Sequence, residues 1–234
     1  KIYQYTNIKN IDYFMPVSQM LTDFYKKYFE GTKTNCVFIP HSLDYIPREV
    51  SALESKKIIS IGRLSPEKGF DDLLDVFKIV NNQKKDWKLD IIGDGVLKNH
   101  LINKVKEYSL QNNVIIHGYK DKEFIREKLN DMSLYLMTSY EESFGLVLLE
   151  AAAFGIPAIA FSSAEGATEI IKDDVSGYIV NNRNKEEMKE KALELLNDKQ
   201  KLALFGHEAR LNAEDYSYDS VKEKWLSMIN DILS

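Results

Sequence analysis

From Lys57 to Val180 the chain alternates short β-type runs with helix-length amphipathic segments, and this alternation limits the fold more than any other feature. The runs are KIISIG (Lys57 to Gly62), KLDIIG (Lys88 to Gly93) and NVIIHG (Asn113 to Gly118), then SLYLMT (Ser133 to Thr138), PAIAF (Pro157 to Phe161) and GYIV (Gly177 to Val180). Between them lie PEKGFDDLLDVFKIVNN, VLKNHLINKVKEYSL, DKEFIREKLNDM, GLVLLEAAAF and ATEIIKD, each expected as a helix. In the first of these, Phe70, Leu73, Leu74, Phe77 and Val80 recur at helical spacing. Strands joined through helices form a parallel sheet with helices on both faces. The expected fold class is α/β, a Rossmann-like doubly wound parallel sheet.

The remaining totals exclude several classes. A chain of 234 residues, 44% hydrophobic, buries a sizeable core without disulfides. The single Cys36 cannot pair within the chain, and there is no CxxC or Cys/His cluster for zinc, so no metal is expected. This cysteine usage is compatible with a reducing cytoplasm. A net charge of −5 argues against nucleic acid as the main ligand. The most apolar stretch, GLVLLEAAAFGIPAIAF, contains Glu150 and a Gly-Ile-Pro break, so it reads as helix, turn and strand instead of a membrane span. The start, KIYQYTNIKN, lacks both an initiator Met and a signal segment, and the chain is expected to be cut from a longer one. From Asn184 onward the sequence is expected to be helical: NKEEMKEKALELLNDKQK reads as a solvated helix, and a last amphipathic helix is built around Trp225, Met228, Ile229 and Ile232.

Doubly wound sheets bind ligands beyond the carboxyl ends of their strands, so the residues after each run carry the functional reading. Arg63 follows the first run and Lys68 lies near the next helix start; together they suit a phosphate or diphosphate, or else are solvated loop cations. The Gly93-Asp94-Gly95 turn is neither a GxGxxG fingerprint nor a Walker motif, which lowers the odds of a nicotinamide dehydrogenase or P-loop enzyme. In SYEESFGLVLLEAAAFGIP, Gly145 opens a helix whose N–H groups favour an anion, while Glu142 and Glu150 would repel a phosphate. Carboxylates there suit sugar hydroxyls, because an ionised carboxylate only accepts hydrogen bonds. A ligand with central phosphates and a hydroxyl-bearing ring at each end, a nucleoside-diphosphate sugar, satisfies the whole set. The plain alternative has Glu142 capping the helix and Glu150 on its wet face. His41, His100, His117 and His207 share no ligand spacing, and Asp71 and Asp72 read as a polar helix face.

The segment ESFGLVLLEAAAFGIPAIAF resembles the glutamate-x7-glutamate signature of retaining GT-B glycosyltransferases, family 4 (group 1). IGRLSPEKGFDDLLDVF resembles that family's diphosphate-binding segment, IIGDGVLKNHL its second strand turn, and GATEIIKDDVSGYIV the segment after the signature. The resemblance implies the C-terminal, donor-binding half of a GT-B fold. It divides the chain into residues 1–45 (remnant of an N-terminal acceptor domain plus connector), 46–215 (nucleotide-sugar domain) and 216–234 (crossover helix). His41-Ser42 stands where the family's connector normally has Asn-Gly.

By the same resemblance, Arg63 and Lys68 neutralise the donor diphosphate as it leaves, in place of a metal, and Glu142 touches the transferred sugar. Glu150 accepts the ribose hydroxyls, and Gly62, Gly93, Gly118 and Tyr119 line the nucleotide. The backbone of Ser143, Phe144, Gly145 and Leu146 faces sugar and diphosphate; Ser143 replaces a frequent Gly. The implied reaction is retaining hexose transfer, with a UDP-sugar favoured as donor and no cofactor, to a glycan or lipid-linked acceptor held by the missing domain. Surface polysaccharide, lipopolysaccharide or glycoconjugate synthesis in the bacterial cytoplasm is the implied setting, with membrane contact only peripheral. A GT-B nucleotide-sugar epimerase and a non-catalytic sugar-nucleotide module are the competing readings. A two-carboxylate hydrolase leaves Arg63 and Lys68 unexplained, and no lysine motif for a pyridoxal-dependent phosphorylase is visible.

Overall fold

The structure, a computed structural model, describes residues 11–233. These divide into two compact units, one spanning Tyr45–Glu214 and one made of the described residues up to Asp44 with those from Asp215 onward. In the second of these, β1 (Tyr13–Phe14) pairs in parallel with β2 (Asn35–Cys36), and α1 (Gln19–Tyr28) lies between them in sequence. Ser18 caps α1 through its side chain, and Phe14, Tyr25 and Phe29 pack ring against ring.

The larger unit follows the alternation in the sequence. It runs β3 (Lys57–Ile61), α2 (Phe70–Gln83), β4 (Lys88–Ile92), α3 (Lys98–Glu107), β5 (Val114–Ile116), α4 (Lys122–Leu129), β6 (Leu134–Met137) and α5 (Leu146–Ala153). It continues with β7 (Ala158–Phe161), α6 (Ala167–Ile170), β8 (Gly177–Val180), α7 (Lys185–Asn197) and α8 (Lys199–Glu214). Every β-type run is a strand within two residues of its expected ends. The strands form one parallel sheet in the order β5-β4-β3-β6-β7-β8. Ile58, Ile59, Leu89, Ile91, Leu134, Leu136 and Ile159 are fully buried, as central strands covered on both faces require. The strand order reverses direction at β3, so crossovers of the usual right hand put α2 and α3 on one face of the sheet and α4, α5 and α6 on the other.

Three expectations need correction. The first helix does not start at Pro66: Pro66–Lys68 form one 3₁₀ turn, and the chain then reverses through Gly69 at φ 64° before α2 begins. Gly69 has no side-chain room, since a Cβ there would lie 2.0 Å from the Thr138 carbonyl oxygen. The Lys/Glu-rich α7 is not a solvated helix; Met188, Ala192, Leu193, Leu195 and Leu196 are buried in the main core, where the helix packs on α2. In α9 (Tyr218–Leu233), the buried residues are Val221 and Met228, with Ile39 beside them, while Trp225, Ile229 and Ile232 are exposed among the described residues.

Candidate functional site

The sheet order reverses between β3 and β6, and the two strands share only two register pairs, Ile58↔Leu134 and Ile59↔Tyr135. Beyond that point no ladder pair joins them, and the Tyr135 side chain bridges the gap. Its hydroxyl accepts from the Ile61 N–H (2.9 Å) and donates to the Ile61 carbonyl (3.0 Å), replacing the missing ladder bonds. Burial pushes this hydroxyl well above the ordinary phenol range; the Ile61 N–H opposes the shift, and the charges of Glu142 and Glu150 reinforce it. Both glutamates therefore lie within electrostatic reach of the crevice floor. The sequence reading missed Tyr135, although a tyrosine inside an apolar strand signals a buried hydroxyl in search of partners.

On one side of Tyr135 lies the pair that the sequence placed on different parts of a ligand. The Lys68 ammonium sits 2.6 Å from a carboxylate oxygen of Glu142, both side chains mostly buried. Glu142 therefore does not cap the following helix. Gly145, left-handed at φ 87°, occupies the N-cap of α5 without any side-chain hydrogen bond. Phe144 and Gly145 are buried, Ser143 and Leu146 are exposed, and Glu150 is half-buried on the second turn of α5. The Glu142 carbonyl accepts from the Gly166 N–H (2.7 Å), which ties this turn to the one after β7.

On the other side, beyond β3, β4 and β5, a cavity of about 310 Å³ is lined by Ile61, Gly62, Arg63, Gly93, Tyr119 and Ile125, among others. Gly62, Arg63, Gly93 and Tyr119 are thus brought together, and Gly118 is buried just before Tyr119. Gly93 is required by close approach, because a Cβ would fall 1.8 Å from the Gly62 carbonyl oxygen. The Gly93 N–H donates to the Gly118 carbonyl (2.9 Å), so that carbonyl is already engaged. Asp94, in the Gly93-Asp94-Gly95 turn, also lines the cavity. Hydrogen bonds from the Lys98 ammonium (2.6 Å) and the Gly95 N–H (2.8 Å) hold its carboxyl below the usual range. His117 bonds to buried Asp90 under the same wall, a structural contact.

Asp71 and Asp72 are more than a polar face. With Asp75 they hold His100, Lys104, Arg183 and Lys185 in one network across α2, α3 and the start of α7. Among the described residues, no three His, Cys, Asp or Glu side chains converge as a metal site, and no helix is long and apolar enough to cross a membrane.

This arrangement, one cation–carboxylate pair and one apolar-walled cavity flanking a strand-order reversal, can be compared with known proteins. The family profile described as glycosyl transferases group 1 matches residues 44–212. The chain belongs to the group 1 glycosyl transferases. Relatives of this group 1 chain include the amylovoran biosynthesis glycosyltransferase AmsD of Erwinia amylovora, 36% identical over 186 residues, which cover 80% of this chain and 50% of that protein. Another is the poly(ribitol-phosphate) alpha-N-acetylglucosaminyltransferase of Staphylococcus aureus, 34% identical across 76% of this chain and 36% of that one. Among solved structures, a mutant of S. aureus TarM in complex with fondaparinux, alpha-GlcNAc-glycerol and UDP superposes with a TM-score of 0.83. It is 27% identical, over 98% of this chain and 47% of that one. The chain thus spans about half the length, or less, of these relatives, and its sheet has the Rossmann-like arrangement of GT-B glycosyltransferases.

Proposed function

We propose that this chain is the donor-binding part of a retaining, family 4 glycosyltransferase that takes a nucleoside-diphosphate sugar, a UDP-sugar by preference. Residues 46–215 would hold the donor, with residues 1–45 and 216–234 belonging to the acceptor-domain side. The observation that carries the reading is the Lys68–Glu142 pair at the sheet's switch point, beside a cavity walled by Gly62, Arg63, Gly93 and Tyr119. The UDP present in the TarM crystal supports the choice of nucleotide.

In this reading the base enters the cavity below Tyr119, and Glu150 accepts the ribose hydroxyls. The diphosphate meets Arg63 and Lys68 together with the free N–H groups at the start of α5. Glu142 accepts hydroxyls of the transferred hexose. As the glycosidic bond to the diphosphate stretches, negative charge grows on the leaving oxygen, and Arg63 and Lys68 stabilise it without a metal ion. The acceptor hydroxyl attacks from the face the diphosphate leaves, and the configuration at the sugar carbon is retained. No side chain is asked to act as nucleophile; catalysis is positioning and charge stabilisation.

Calorimetric titration of the chain with UDP, GDP and ADP tests this, repeated on Arg63→Ala and Glu150→Ala. The expected result is binding of UDP alone, lost in Arg63→Ala and weakened in Glu150→Ala. Equal binding of all three nucleotides by the unaltered chain and both variants would remove the assignment.

A further inference from the structure

The turn that presents Glu142 is held from a place the donor reading does not use. Arg183, three residues past β8, is four-fifths buried, and its guanidinium reaches back to the end of β6. One nitrogen, Nη1, donates to the Ser139 carbonyl (2.9 Å) and to the Ser163 hydroxyl (2.8 Å). The other, Nη2, donates to the Thr138 carbonyl (2.9 Å) and to the Asp72 carboxylate. The guanidinium plane lies over the Tyr140 ring, 3.4 Å from its centroid. Tyr140 in turn donates its N–H to the Glu67 carbonyl (2.8 Å) and its hydroxyl to Asp72 (3.1 Å). Arg183 and its neighbour Asn182 both adopt left-handed backbone, at φ 52° and 53°, a conformation non-glycine residues hold only when their surroundings impose it.

We infer that Arg183 is a positioning residue for sugar recognition: it fixes Thr138, Ser139 and Tyr140 so that Glu142, on the same turn, meets Lys68 and the transferred hexose. This rests on the donor reading above. Only the planar, forked guanidinium can bond two successive carbonyls, a hydroxyl and a carboxylate while stacking on a ring; an ammonium has neither the fork nor the face. Arg183 lines no part of the nucleotide cavity beyond β3 to β5. Its loss is therefore expected to separate sugar from nucleotide.

The test compares the unaltered chain with Arg183→Ala and Arg183→Lys, titrated with UDP and with a UDP-hexose, and follows amide exchange at Tyr140 and Gly166. Affinity for UDP is expected to hold or to rise, by no more than the roughly two- to tenfold that freeing Lys68 from Glu142 would give, while the extra affinity contributed by the hexose falls about tenfold or more in both variants. Exchange at Tyr140 and Gly166 should accelerate while Leu89 and Ile91 in β4 stay protected. Free guanidinium ion should restore part of the hexose increment to Arg183→Ala and none to Arg183→Lys. An unchanged ratio of UDP-hexose to UDP affinity overturns the inference, as does loss of both ligands together with faster exchange at β4. If the unaltered chain binds neither ligand, the donor reading fails. Amide exchange at Tyr140 and Gly166 then still decides whether Arg183 holds the turn.

Discussion

Lys68, on the turn after β3, and Glu142, on the turn after β6, are 74 residues apart in sequence and 2.6 Å apart in space. A cation suited to phosphate thus rests against a carboxylate suited to sugar hydroxyls, each neutralising the other across the crevice.

This pairing predicts opposite effects from one substitution. Glu142→Gln releases Lys68 from its partner and makes the crevice more positive, so UDP should bind about two- to tenfold more tightly. On the proposed donor reading, hexose transfer by the whole protein should fall about 100-fold, because Glu142 would no longer accept the sugar hydroxyls as a charged group. Calorimetry and a transfer assay on the same variant check the two arms, and a parallel loss of both would break the link.

Gly69→Ala should destabilise the fold on the order of 2–4 kcal/mol. The left-handed φ of 64° and the Thr138 carbonyl 2.0 Å from the new Cβ act together, and neither can relax without moving the start of α2 or the end of β6. Urea unfolding followed by far-UV circular dichroism measures the loss. A change under 1 kcal/mol would mean that the turn shifts freely.

Tyr135→Phe keeps the ring and removes the hydroxyl that serves both the N–H and the carbonyl of Ile61. Leaving those buried groups without partners should cost about 1–3 kcal/mol. Exchange of the Ile61 amide should rise more than that of Ile91, since the vacancy opens at the end of β3.

Acid should unfold the larger unit through the network around Asp75. Burial raises the Asp75 carboxyl, but hydrogen bonds from Lys104, Lys185 and Tyr108 outweigh it and bring it to about 2. Glu194 is likewise lowered to about 2, by the Lys201 and Tyr178 hydrogen bonds. A depressed carboxyl contributes stability that is complete above its unfolded value near pH ~4 and is lost as pH falls through the folded value near ~2. Burial works to lower Lys104, yet the Asp75 and Asp71 carboxylates leave it raised. Its contribution is therefore complete below pH ~10 and fades only above that. Melting temperature should be flat from about pH 5 to 9 and drop toward pH 2, and Asp75→Asn should flatten the acid limb.

The sheet was legible because its signals are local. Apolar runs of strand length, helical spacing in Phe70 to Val80, and glycine directly after three strands depend only on near neighbours in the chain. The same locality explains the errors. Gly69 interrupts a helical pattern that continues through it, and the apolar stripe of α7 was hidden among lysines and glutamates. Arg63, Lys68 and Glu142 could be picked out by residue type and by their place after a strand, and Glu150 by the resemblance to the glutamate signature; the first rule also selects Arg183 once it is applied beyond β8.

Local signals along the chain were enough for the α/β class, the strand positions and the carboxyl-end turns where chemistry gathers, since backbone propensity and hydrophobic period act over a few residues. Long-range packing was needed to bring β3 beside β6, to set Tyr135 across the gap between them, to pair Lys68 with Glu142, and to bond Arg183 to the Thr138 and Ser139 carbonyls ahead of Glu142. Long polar side chains have no preferred direction of their own. They point where a partner on a distant element offers a charge or an unpaired carbonyl, and strand order brings that partner near.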